Sequence, residues 1–243
     1  VSRRVRIAVV NCNTTASMTE RITAAARAGV CGDVDVLGLT PTWGVPSAEG
    51  FYDSFLSAAA VLDTLAHLPA GVDGVVMAGF GEHGREGARQ LLAVPVVDIT
   101  EAAAMSACLL GTRFGVVTTT PTAVEQIRAS LAGAALDGRC VGVRAADLRV
   151  LALHDDDEKT TAAIQEAAEP LLAAGADVLV LGCAGMSHLA IELERRTGVP
   201  VVDGVVAAAG FCATLVRAGW KTSKIGAFAA PDPDKIRLVP SRG

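Results

Sequence analysis

The chain has 243 residues, 51% of them hydrophobic, only 4% aromatic, with a formal charge of −5. That is ample for one large or two modest cored domains. An acidic balance with no offsetting basic cluster excludes a general nucleic-acid surface, and scarce aromatics exclude a stacking platform for single strands.

The opening, VSRRVRIAVVNCN, is basic and then apolar. Its apolar run of about five residues falls short of the ~7–15 of a signal peptide, and it has a mate inside the chain, so it is read as a strand over 6–10. Asn13, Thr14 and Thr15 then offer caps for a helix over 16–28. The pattern continues with strands over 34–39, 74–78, 94–99, 114–118, 141–143, 178–181 and 199–202. Between them, Ala-rich stretches predict helices over 54–65, 86–92, 122–133, 160–174 and 187–196. The strands are Val-rich and apolar without alternation, which fits parallel sheets covered on both faces. The order is β-α repeated, so the class is α/β. The run near 204–216 is the longest apolar one, too short and too rich in Ala and Gly to span a bilayer. From Pro231 the chain turns rich in proline and charge, which predicts a tail or strap. Six scattered cysteines with no Cys-x-x-Cys write neither a zinc site nor a redox pair, and imply reduced thiols in a cytoplasm.

Two stretches read as copies. DGVVMAGFGEHG from Asp73 answers DVLVLGCAGMSH from Asp177, and Cys183 falls on Gly79. VPVVD at 94–98 answers VPVVD at 199–203, Cys108 answers Cys212, and RIAVV at 6–10 answers RFGVV at 113–117. The expected architecture is therefore two similar α/β domains with parallel sheets, related by an internal pseudo-two-fold duplication. Residues 1–100 plus 205–243 would form the first and 101–204 the second, with a crossover helix in each copy. Ligands gather at the carboxyl ends of such strands. Those ends, at 11–15, 79–84, 118–122 and 182–188, would face one cleft.

Cys183 stands at a strand end just before a helix, where backbone amides and the dipole stabilise a thiolate. Gly182, Ala184 and Gly185 leave amides open to a ligand. Gly79-x-Gly81-x-x-Gly84 followed by Asp98 has the form of a dinucleotide fingerprint. The repeat mate carries Cys-Ala-Gly-Met-Ser-His in that loop, so a shared shape that exposes amides to a small anion explains both copies better. Asn13, Thr118 and Thr119 are expected to donate hydrogen bonds to ligand oxygens. His83 and His188 are candidate proton relays, although a solvated loop is the commoner fate. Cys108 and Cys212 read as helix-face thiols and Cys31 and Cys140 as loop or edge thiols, while Cys12, beside Asn13, stays open. Phe51, Tyr52, Phe80 and Met186 suggest a partly apolar pocket.

With these residues assembled, the chain resembles the aspartate/glutamate/hydantoin racemase superfamily, and most closely its hydantoin and allantoin racemase branch. The resemblance covers nearly the whole length: VVNCNTTASMT, with Cys12 where proline is usual; PSAEGFYDSF; LGCAGM; GVPVVDGVVAA; and WKTSKIGAF. It implies proton transfer at a carbon alpha to a carbonyl, without cofactor or metal, on a small molecule such as a cyclic ureide or small carboxylate. It also implies a homo-oligomer with no nucleic-acid or membrane partner. A thiolate takes the proton from one face, a second thiol returns one to the other, and hydroxyls and amides hold the enolate. Cys183 matches the second thiol. The first should stand at Gly79, where that branch reads Ala-Cys-Phe-Gly-Asp-Pro-Gly and this chain reads Ala78 to Gly84 as AGFGEHG. Phe80 and Gly81 fall within the implied substrate loop. Two further readings follow from that change: one-sided chemistry like that of the arylmalonate decarboxylases, or a lyase or isomerase in which His83 or Glu82 serves as base. A non-enzyme that closes two domains on a ligand is the remaining rival.

Overall fold

The computed structural model describes residues 4–233, and residues 234–243 of the expected tail lie outside them. Two four-stranded parallel sheets carry the fold. The first has β1 (Val5–Asn11), β2 (Val34–Leu39), β3 (Gly74–Ala78) and β4 (Val96–Asp98) in the order β2-β1-β3-β4. The second has β5 (Phe114–Thr118), β6 (Cys140–Ala145), β7 (Val178–Leu181) and β8 (Val201–Asp203) in the order β6-β5-β7-β8. The orders are the same once β1 is set on β5, so the topology repeats as the sequence does.

The matched aspartates explain how. Asp73 accepts from the backbone N–H of Arg6 at 2.9 Å, and Asp177 accepts from that of Arg113 at 2.9 Å. Each ties the residue before its sheet's third-numbered strand to the start of the central one. Asp98 accepts from Thr100 N–H at 2.9 Å and caps α4 (Ile99–Leu110). Asp203 accepts from Val205 N–H at 2.8 Å and caps α8 (Gly204–Arg217). Caps of this kind contribute roughly 1 kcal/mol each. They also end the strands early: residues 94–99 are predicted extended, but Asp98 turns the chain and Ile99 already opens a helix. Asp98, in the place of a ribose-binding acid, is thereby committed to a helix end.

The other helices are α1 (Ala16–Ala28), α2 (Phe51–Ala66), α3 (Arg85–Leu91), α5 (Val124–Gly133), α6 (Asp157–Ala173) and α7 (Ala190–Thr197). The helix predicted over 187–196 starts later, because residues 184–189 wind as a 3-10 turn after Cys183. Helix α8 returns to the first sheet. Val205, Ala208, Ala209 and Cys212 share a core with Ile7 and Val9 of β1 and Val76 of β3. Gly74 makes this approach possible, since a Cβ there would lie 2.9 Å from Val216 Cγ2. A second cluster gathers Phe114, Val116, Val178 and Val180 with Ala103, Ala104 and Ala107 of α4. Burial of a core Ile or Phe of this kind contributes about 1.5–3 kcal/mol. Among the described residues, no helix is long and apolar enough to cross a membrane.

Candidate active site

The carboxyl ends of both sheets meet around one small cavity. Cys12, Asn13, Phe80 and His83 line it from the first half; Thr118, Thr119, Gly182, Cys183 and Ala184 line it from the second. Contacts between halves close it. Glu49, which precedes α2, accepts from Val150 N–H through its carboxylate at 3.0 Å and from the Thr120 hydroxyl through its carbonyl at 3.1 Å. Gln126 Nε2 donates to Ser54 Oγ at 2.9 Å, and the Ser130 hydroxyl donates to Gly81 O at 2.9 Å.

Cys183 follows β7 in extended conformation and heads the 3-10 turn. The Gly185 amide favours its thiolate, but burial and nearby Glu49 oppose it, burial most strongly, and the thiol is pushed up to about 11. The expectation that the turn would give a low-pKa thiol is thus corrected. One short 3-10 turn supplies few aligned dipoles, and desolvation in the cavity outweighs them.

Asn13 is 2% exposed. Its Oδ1 accepts from Asn11 Nδ2 at 2.9 Å and from Thr15 N–H at 3.0 Å, which fixes the amide's orientation. Its Nδ2 donates only a weak 3.6 Å bond to Met18 Sδ. A better acceptor, such as a ligand carbonyl, would displace that sulfur. The Thr118 hydroxyl donates to Gly182 O at 3.0 Å, which locks β5 to the Cys183 loop. Thr119 is 3% exposed and lines the cavity beside it.

Gly79 carries no side chain and stands behind the lining, between Ala78 and Phe80 that belong to it, and a Cβ there would run into the His83 ring. His83 is 4% exposed. Its Nε2 lies 3.3 Å from Phe80 O, and since a carbonyl only accepts, that nitrogen carries the proton. Burial lowers the imidazole to about 4, so it is neutral at pH 7.

Not every expected residue faces the cavity. The Gly81 amide is used by Thr100 Oγ1 at 2.8 Å, and Gly81 and Gly185 both stand behind the lining. Phe51 and Tyr52 are exposed, and Met186 is wholly buried in the second-half core, so of the four predicted pocket apolars only Phe80 serves. His188 lies elsewhere, with Nε2 3.2 Å from Asp157 Oδ1 and its ring 4.4 Å from that of His154. His154, Asp157 and His188 have donor atoms within 4.8 Å of one another, outside the cavity. Sequence reasoning missed Met18, Ile22, Gln126 and Val150 of the lining and the latch made by Glu49. The Glu49 signal was present, since PSAEGFYDSF was matched as a motif, but its carboxylate was not singled out.

The Asp/Glu/Hydantoin racemase family model matches residues 7–212. A hydantoin racemase from Rhizobium meliloti is 37% identical over 227 residues, covering 93% of this chain and 94% of its own. The crystal structure of an allantoin racemase from Pseudomonas fluorescens superposes with a TM-score of 0.92 at 47% identity, covering 94% of this chain and 98% of that one. An arylmalonate decarboxylase shares the fold alone, at TM-score 0.57 and 20% identity, over 88% and 93% of the two chains. With both sheets, their repeated topology and nearly the whole length matched, the chain belongs to the Asp/Glu/hydantoin racemase family and is an enzyme of the racemase class.

Proposed function

We propose that this enzyme moves a proton at the carbon alpha to a carbonyl of a small cyclic ureide of the hydantoin–allantoin kind, with Cys183 as acid and base on one face and no cofactor. The observation that carries this reading is Cys183 itself, set in a closed cavity between two sheet ends that also holds the Asn13 amide. The thiolate form removes the proton. The C–H pair enters the bond to the carbonyl carbon, and charge collects on the carbonyl oxygen. Asn13 Nδ2 and the hydroxyl of Thr119 are the donors assigned to that oxygen. Phe80, Met18 and Val150 exclude water, which keeps the enolate from random protonation.

Gly79 supports a second reading on the same framework. With a bare backbone on one wall, Cys183 would protonate a single face after a carboxylate is lost as CO₂, as a decarboxylase would. Incubation of enantiopure allantoin, 5-substituted hydantoins and arylmalonates in D₂O, followed by proton NMR and chiral chromatography, tests both. Exchange of the α-proton on a ureide supports the first reading, CO₂ loss from a malonate supports the second, and inertness toward the whole panel overturns both.

A further inference from the structure

Cys12 and Gly79 leave neighbouring strands side by side. Asn11 of β1 pairs with Ala78 of β3 in parallel register, so residues 12 and 79 are the next pair out of the sheet. In-register residues on parallel strands send their side chains to the same face. A Cβ placed on Gly79 would lie 2.7 Å from the Cβ of Cys12, and it would also strike the His83 ring. The room that a side chain at 79 would need is therefore already held by a thiol and an imidazole. Both line the cavity that holds Cys183.

We propose that Cys12 is the second acid/base of the site, serving the substrate face opposite Cys183 from the wall that Gly79 leaves bare. This rests on the proton-transfer reading of Cys183. The two thiols come from facing sheets, one after β1 and one after β7. Burial first, and then a negative Cys183, push the Cys12 thiol up to about 12. That repulsion disfavours two thiolates at once. One thiolate and one thiol is the state that two-faced proton transfer requires. A separate observation marks the same wall as built for a ligand. His83 Nδ1 is a buried side-chain atom without a hydrogen-bond partner, on a ring that lines the cavity.

The step balances without an oxidant or reductant. The Cys183 thiolate takes the α-proton and becomes a thiol. The carbon–hydrogen pair becomes the enolate π bond. The enolate carbon then takes the Cys12 proton on the other face, and Cys12 is left as the thiolate. The next turnover from the opposite enantiomer, or proton exchange with water, resets the pair.

The test uses the full-length enzyme, its Cys12→Ser, Cys183→Ser and His83→Gln variants, and each enantiomer of allantoin and of a 5-substituted hydantoin in D₂O. The parent is expected to exchange and invert both enantiomers. Cys12→Ser should lose about 10²-fold or more of the inversion rate, while one enantiomer still exchanges its α-proton with retention through Cys183. Cys183→Ser should show the mirror pattern, and His83→Gln, which alters the ligand wall, should bind substrate more weakly yet invert what it binds. Should Cys12→Ser not fold, the parent carries the test alone. Bound substrate should then protect Cys12 as well as Cys183 from iodoacetamide, read by mass spectrometry of the two peptides. Inversion by Cys12→Ser at the parent rate would overturn the proposal, as would Cys12 labelling indifferent to substrate. Loss of inversion in His83→Gln but not in Cys12→Ser hands the role to His83. A parent that exchanges one enantiomer with retention overturns Cys12 and leaves the Cys183 reading standing; a parent that exchanges neither overturns both.

Discussion

The proton on His83 Nε2 is committed to the carbonyl of Phe80 at 3.3 Å, and the ring's other nitrogen has no partner. A neutral imidazole is thus locked in one tautomer against the bare backbone of Gly79. Folding lowers its pKa from 6.5 to about 4 through burial. The unfolded chain therefore binds more protons than the folded one between those values, so stability rises with pH across that window. The contribution is present above the unfolded value and is lost as pH falls through the folded one, with a full size of roughly 3 kcal/mol. The urea midpoint of the parent should fall more between pH 7 and pH 4.5 than that of His83→Gln. Parallel pH profiles for the two proteins would contradict this.

Cys183→Ser should cut turnover about 10²–10⁴-fold with little change in thermal midpoint, because the serine fits the same extended position. In the free enzyme the thiol titrates near 11. Its alkylation rate should consequently rise about tenfold per pH unit from neutrality toward that value, since only the thiolate reacts. A plateau near pH 8 would show a far more acidic thiol than the cavity allows.

Placing a thiol at residue 79 is not a neutral change. Its Cβ would meet the His83 ring and lie 2.7 Å from Cys12 Cβ. Gly79→Cys alone should destabilise the enzyme by about 1–3 kcal/mol, the usual cost of overpacking. The added change His83→Ala should recover much of that loss. Equal unfolding midpoints for the parent and Gly79→Cys would mean that the loop gives way more easily than its packing implies.

The two ends of Asn13 do different work, so Asp and Ala substitutions should separate them. Asn13→Asp keeps an oxygen for Thr15 N–H but removes the Nδ2 donor. It should lose stability, because a carboxylate would stand where Asn13 is 2% exposed, and lose about 10²–10³-fold in kcat/KM, the size of one lost donor to developing charge. Asn13→Ala should also lose about 1 kcal/mol of stability, because the N–H groups it caps go unmet. Unchanged kcat/KM in Asn13→Asp would remove Asn13 from the oxygen site.

The strand ends were legible because period and composition locate them. Asn13, Thr118, Thr119, Gly182 and Cys183 sit at the ends of Val-rich runs, and those ends face one cavity. Gln126 and Met18 were not legible, since they reach the cavity from helix faces whose rotation only packing decides. Glu49 lies in a motif legible in the sequence, but its latch was not, because its partners Thr120 and Val150 lie 71 and 101 residues away. The repeat predicted the topology because Asp73, Asp98, Asp177 and Asp203 are structural anchors, each tying down backbone amides. The strand-end place of Cys183 promised a stabilised thiolate, but sequence says nothing of how dry a cavity is. Cys12 stayed open until the β1–β3 register put it beside Gly79.

The first sheet's core depends on a helix encoded more than a hundred residues later, with Val205, Ala208 and Cys212 of α8 lying against Ile7, Val9 and Val76. A growing chain emerges from the ribosome amino end first. Until residues 204–217 emerge, that face of β1 and β3 has Met18, Ile22 and Ala26 of α1 against it but lacks α8, while residues that build the second sheet emerge and pair. A stop codon shortly before residue 205 would spare all eight strands and still leave the part of the first sheet's apolar face that α8 covers in water, a product for proteases and chaperones rather than a slow enzyme.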